Sequence, residues 1–125
     1  SPTDLFNEDF ISREVGSGTR EVYLKSLEAY LKGNQLKTVM VLGNTEAVKM
    51  AVIGKLGFSI VSRLAARSEV ELGLLKEVRI KNVNMSRDFI VVFKSEENLS
   101  VPALRLKEYL KSKKQEFDRF NFNKE

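Results

Sequence analysis

Apolar residues along the chain follow two rhythms: short runs of β-branched and aromatic residues, and longer stretches in which apolar positions recur every three or four residues. The short runs read as strands and the longer stretches as amphipathic helices, and their alternation is the pattern of an α/β layer architecture. Phe10 and Ile11 open a strand ending near Arg13 and Glu14, and Gly16, Ser17 and Gly18 break it. A helix is expected to start there, with Val22, Leu24, Leu27, Tyr30 and Leu31 on its apolar side and Gly33-Asn34 as its stop. Val39 to Leu42 is a second strand, closed by Gly43. Asn44 or Thr45 then caps a helix whose buried side is Val48, Ala51, Val52 and Leu56, with Gly57 as its end.

Phe58 to Val61 reads as a third strand, followed by a short helical stretch from Ser62 to Glu71 with Leu64, Ala65 and Val70 facing inward. Gly73 turns the chain into an extended piece, Leu74 to Ile80, and Asp88 to Phe93 forms the next strand. Ser100 caps a final helix that tolerates Pro102 in its first turn and carries Leu104, Leu106, Tyr109 and Leu110 on its apolar side. The spacing Phe117, Phe120, Phe122 reads as a frayed end. With 125 residues the chain has room for one modest core and one compact domain.

Composition narrows the chemistry. The chain has no histidine, which removes the commonest general base, the commonest transition-metal ligand and every Ser-His or Cys-His nucleophile pair. It has no cysteine either, so there is no disulfide framework and no thiolate ligand, which suits a reducing cytoplasm. Neither catalytic residues, a metal site nor a cofactor is expected. No apolar run approaches the roughly 20 residues that span a bilayer, so no membrane partner is expected. Of the net charge of +4, half lies in the last fifteen residues, where Lys111, Lys113 and Lys114 suit a solvated helix end. That placement gives no basic face for nucleic acid.

Two strand-to-helix junctions carry the candidate chemistry, REVGSGTR from Arg13 to Arg20 and LGNTEAV from Leu42 to Val48. Both set small polar residues at a helix N-terminus, where unpaired backbone N–H groups and the positive dipole end favour an anion. Ser17, Thr19, Asn44 or Thr45 would add hydroxyl or amide contacts, and Arg13 would clamp a carboxylate or sulfate with its planar fork. Ordinary capping explains either junction taken alone, at roughly 1 kcal/mol each. Nearby glutamates offer both arginines another partner, and a surface ion pair is the expected role of Arg20. Ligands in open α/β sheets bind beyond the carboxyl ends of strands, and both junctions lie at such ends.

The order of these motifs is similar to the second half of the effector domains of LysR-type transcription regulators. The resemblance runs from Phe10 to about Lys111 and rests on the SGTR helix start, on NTEAVK leading into KLGFSIVSR, and on a strand followed by LSVPAL. Ser62-Arg63 stands where the family often has a proline. The resemblance implies a type II periplasmic-binding-protein-like fold, with two α/β lobes that enclose a small effector and a mixed, mostly parallel sheet between helix layers in each. It assigns residues 1–9 to a lead-in, 10–84 to the second lobe, 85–112 to a strand and helix crossing back toward the first lobe, and 113–125 to a tail. Effector contacts carried over from the family fall on Ser17, Gly18, Thr19, Asn44 and Thr45. The implied partners are a small-molecule effector and further copies of the chain, side by side through the first helix and second strand. Because the strand that would enter this lobe from the first is missing, Asp88 to Phe93 is expected to fold back into its place or to be exchanged between copies. DNA is expected to be bound only through a helix-turn-helix domain outside this chain. A solute-binding protein of the same fold is the alternative.

Overall fold

A computed structural model describes residues 2–33, 35–88 and 90–119. The chain divides into two compact units, Ser1–Met85 and Ser86–Glu125. The expected positions Asn34, Phe89, Phe120 and Phe122, and the side chain of Phe117, lie outside what is described.

In the first unit a short tight helix, Pro2–Asn7, leads into strand β1, Phe10–Arg13. Helix α1, Gly18–Leu31, follows and ends at Lys32 and Gly33, both in left-handed backbone. Strand β2, Thr38–Leu42, returns parallel to β1, with Ile11 opposite Met40 and Arg13 opposite Leu42. A parallel pair needs a crossover between its strands, and α1 supplies it. Helix α2 is Thr45–Ile53 and helix α3 is Arg67–Glu71. The second unit contains a short tight turn, Glu96–Asn98, then helix α4, Val101–Ser112, and helix α5, Lys114–Arg119.

The core forms around β1 because its alternate residues enter different layers. Phe10 is fully buried, edge-on to Tyr23 of α1 and tilted against Phe58, at ring-centroid distances of 5.3 and 5.0 Å. Ser12, two residues on and facing the same way, meets the Tyr23 hydroxyl at 2.8 Å. That bond satisfies two polar groups which would otherwise be costly to bury. Arg13 leaves the opposite face and reaches α2. Ile11, Leu27 and Val48 complete the fully buried set.

Several expected elements differ. The third strand shrinks to one parallel bridge between Phe10 and Phe58, held by Phe58 N–H to Asp9 O and Ile11 N–H to Phe58 O, each 2.9 Å. Every pairing between described residues is parallel, so the observed sheet is small and parallel where a larger, mixed one was expected. Helix α2 stops at Ile53, short of Gly57, because Lys55 turns into left-handed backbone and the Leu56 amide returns to Ala51 O. Leu56 is consequently exposed. Gly57 instead lets two backbone segments touch, since a Cβ there would collide with the Asp9 carbonyl. The helical stretch expected from Ser62 starts only at Arg67, because the Ala65 carbonyl accepts from the Lys49 ammonium, 2.9 Å. Ala66 turns inward and Leu64 outward. Leu24 is likewise exposed on α1, whose buried residues are Tyr23 and Leu27.

In the second unit the strand expected over Asp88 to Phe93 is not formed by residues 88 and 90–93, and Ile90 and Val92 are 80% and 86% exposed. An extended apolar run becomes a strand only where a neighbouring edge accepts its backbone hydrogen bonds. The single chain therefore does not show the expected folding back. Ser100 occupies the N-cap position of α4 in extended backbone, without a side-chain hydrogen bond, and Pro102 sits in the first turn.

Candidate functional site

Both helix starts lie directly beyond the carboxyl ends of the paired strands. At the end of β1 the Glu14 amide still donates to Leu42 O, and the Ser17 amide then turns back to Glu14 O. Gly16, at φ +87°, allows that turn. Ser17 is the N-cap of α1: its Oγ accepts from the Arg20 amide at 3.5 Å and its carbonyl from the Glu21 amide. At the end of β2, Asn44 caps α2 by accepting from the Ala47 amide at 2.8 Å. First-turn amides of Gly18 and Thr19 in α1, and of Thr45 and Glu46 in α2, have no acceptor within their own helices. Because Arg13 lies opposite Leu42, these starts follow neighbouring strand ends.

Arg13 joins the two junctions. Its Nη1 donates to Thr45 Oγ1 at 2.8 Å, while Nε and Nη2 hold the two carboxylate oxygens of Glu14 at 2.7 and 2.8 Å. The fork expected to clamp an anion is thus engaged by the next residue in the chain. Strand alternation would set residues 13 and 14 on opposite faces, but β1 ends at Arg13 and frees Glu14 to turn toward it. The hydrogen bonds from the guanidinium hold the Glu14 carboxyl near 2, well below an ordinary 4.5, and that carboxylate in turn raises the Arg13 pKa. Arg20 makes no ion pair among the described residues; its amide donates to Ser17 Oγ.

Of the residues singled out from sequence, Arg13, Ser17 and Thr45 lie in this hydrogen-bonded arrangement with Asn44 as the second cap, and Gly18 and Thr19 open α1. Lys49 was not singled out. One turn beyond Thr45, it is buried, with Nζ 2.6 Å from Glu69, 3.0 Å from Glu46 and 2.9 Å from the Ala65 carbonyl. The hydrogen bonds that Lys49 donates to Glu69, then to Glu46, raise the lysine pKa, and the one Glu69 accepts lowers its own. The other Glu69 oxygen is buried without a hydrogen-bond partner. A lysine inside the apolar stretch AVKMAVI was the available signal, since a charge on the buried side of a helix requires a partner. Lys49 ties the segment before α3 to α2, the helix that carries Thr45.

Among the described residues no cluster of acidic side chains is arranged to hold a metal ion, and no helix is long and apolar enough to cross a membrane. Residues 1–115 match the family model described as the LysR substrate binding domain. The chain belongs to this family. Relatives include an uncharacterised HTH-type transcriptional regulator of Methanocaldococcus jannaschii, 39% identical over 92 residues, which cover 71% of this chain and 30% of the relative. The RuBisCO operon transcriptional regulator of Acidithiobacillus ferrooxidans is 35% identical over 87% of this chain and 35% of its own length. The HTH-type transcriptional activator CmpR of Synechocystis is 32% identical over 85% of this chain and 34% of its own length. The chain thus spans about a third of the relatives it matches, all three named as regulators of transcription.

Proposed function

We infer that this chain is the effector-sensing part of a LysR-type DNA-binding transcription regulator, which acts in the cytoplasm without catalysing a reaction. Residues 10–84 form the second lobe of the sensor, and residues 85–112 cross back toward the first. A small anion binds between the lobes on the starts of α1 and α2, at Ser17, Gly18, Thr19, Asn44 and Thr45, with Arg13 beside them. The regulator is a homo-oligomer, with segment 88–93 exchanged between copies when the sensor is present as this chain alone. DNA is contacted by a helix-turn-helix domain elsewhere in the regulator.

The observation that carries the reading is the 2.8 Å bond from Arg13 Nη1 to Thr45 Oγ1, which spans the two helix starts at adjacent parallel strand ends. Two sets of unpaired amides and one cation beside a common rim favour negative charge. Calorimetric titration of the full regulator with a panel of small carboxylates and oxyanions tests the assignment. Thr45→Ala should weaken binding by roughly 1.5 to 3 kcal/mol, as for a hydrogen bond to a charged group. Stability should change less, because Asn44 still caps α2. Unchanged affinity in both Thr45→Ala and Ser17→Ala would reduce these residues to helix caps.

A further inference from the structure

Glu14 presents to Arg13 the same arrangement that a bound carboxylate would. Its two oxygens take Nε and Nη2 side by side at 2.7 and 2.8 Å, the paired geometry by which a guanidinium recognises carboxylates and other oxyanions. The third nitrogen, Nη1, is turned to Thr45 on the other helix start. The side chains differ in exposure: Arg13 is 15% exposed and Glu14 38%, so the carboxylate approaches its partner from the solvent side. Glu14 stands one residue past the end of β1; its backbone is tied to Leu42 O and to the Ser17 amide, while its carboxylate is held by Arg13. The cation at the rim is therefore covered by a carboxylate that is held there by the ion pair with Arg13.

We propose that Glu14 is an internal stand-in for the ligand: it occupies the Arg13 guanidinium while the site is empty and yields it to the carboxylate or sulfate-like group of an entering small anion. This rests on the reading of the two helix starts as an anion site. The exchange replaces one charge-assisted pair on Arg13 by another, so the buried side of the arginine stays balanced throughout. A neutral molecule offers nothing to displace Glu14, and a weakly held anion must overcome both the pair and the repulsion of the released carboxylate. Arg13 and Glu14 together thus select for charge and set the concentration at which the site fills.

The test is an NMR titration of the full regulator with sodium sulfate, at ionic strength held constant with sodium chloride, following the amides of Gly18, Thr19 and Thr45. Glu14→Gln and Glu14→Ala should each lower the apparent Kd for sulfate by about threefold or more, the scale set by release of a partly exposed ion pair. The gain should vanish when Arg13→Gln is added. The alanine variant guards against a glutamine that merely reoccupies the arginine, and an unchanged dispersion of amide signals confirms folding. Equal affinity in wild type and both Glu14 variants overturns the exchange but leaves the anion site standing. A gain that persists in the Arg13→Gln background also overturns it, because simple removal of negative charge would then suffice. If sulfate moves none of the three amides in any variant, the anion site itself falls, and the exchange with it.

Discussion

Replacing Gly57 by alanine would set a methyl carbon 3.0 Å from the carbonyl carbon of Asp9 and closer still to its oxygen. Two costs follow. Gly57 has φ +150°, a region essentially reserved for glycine, where another residue costs about 1–3 kcal/mol. Moving the methyl away from Asp9 also stretches the bridge built on the same backbone, Phe58 N–H to Asp9 O and Ile11 N–H to Phe58 O, both 2.9 Å. At about 1 kcal/mol for each bond, the total loss is roughly 3–5 kcal/mol, a large share of the 5–15 kcal/mol that ordinarily holds a small domain together. Gly73 provides the comparison, because it has φ +72° but nothing within 4 Å of an added Cβ. Its alanine variant incurs only the left-handed backbone cost, about 1–2 kcal/mol. Urea unfolding of the two variants and wild type, followed by circular dichroism, measures the difference. If Gly57→Ala loses no more stability than Gly73→Ala, then the contact with Asp9 does not hold the third segment against β1.

Acid should act through Glu14, whose carboxyl folding lowers from 4.5 to about 2; the stability it contributes is complete above pH 4.5 and is lost as the pH falls toward 2. Urea midpoints across that interval should fall less steeply in Glu14→Gln than in wild type, and parallel slopes would contradict the pairing with Arg13. Lys49→Met should lower Tm and speed amide exchange in α3, because it leaves Glu69 and the Ala65 carbonyl without their donor. Adding Glu69→Leu should recover part of the loss, since the stranded carboxylate is removed; a double variant less stable than the single one would count against this. Sedimentation equilibrium of the chain should give twice the mass of one copy, with Val92→Lys reducing it to one, if segment 88–93 is exchanged between copies. A wild-type chain that sediments as a single copy at high concentration would refute that arrangement.

Local signals were sufficient wherever one segment decides its own conformation. Ser17 and Asn44 are legible as helix starts because each short polar side chain bonds an amide three residues ahead, a contact made within one segment. Strands β1 and β2 and the crossover between them follow from apolar pattern and turn residues in the same way, and the order of motifs sufficed to identify the family. Long-range partners are a different matter. Whether Phe58 to Val61 and Asp88 to Phe93 become strands depends on an edge that accepts their hydrogen bonds; the first meets β1 at a single residue, and residues 88 and 90–93 of the second form no strand. The direction of the Arg13 fork, the burial of Lys49 and the early end of α2 likewise depend on groups brought near by folding, or on backbone turned left-handed at Lys55. Spacing along the chain carries the periodicity of an element and offered Arg13 the neighbouring Glu14, whereas a distant partner depends on what the packed structure sets within 3 Å, and for Arg13 that is Thr45.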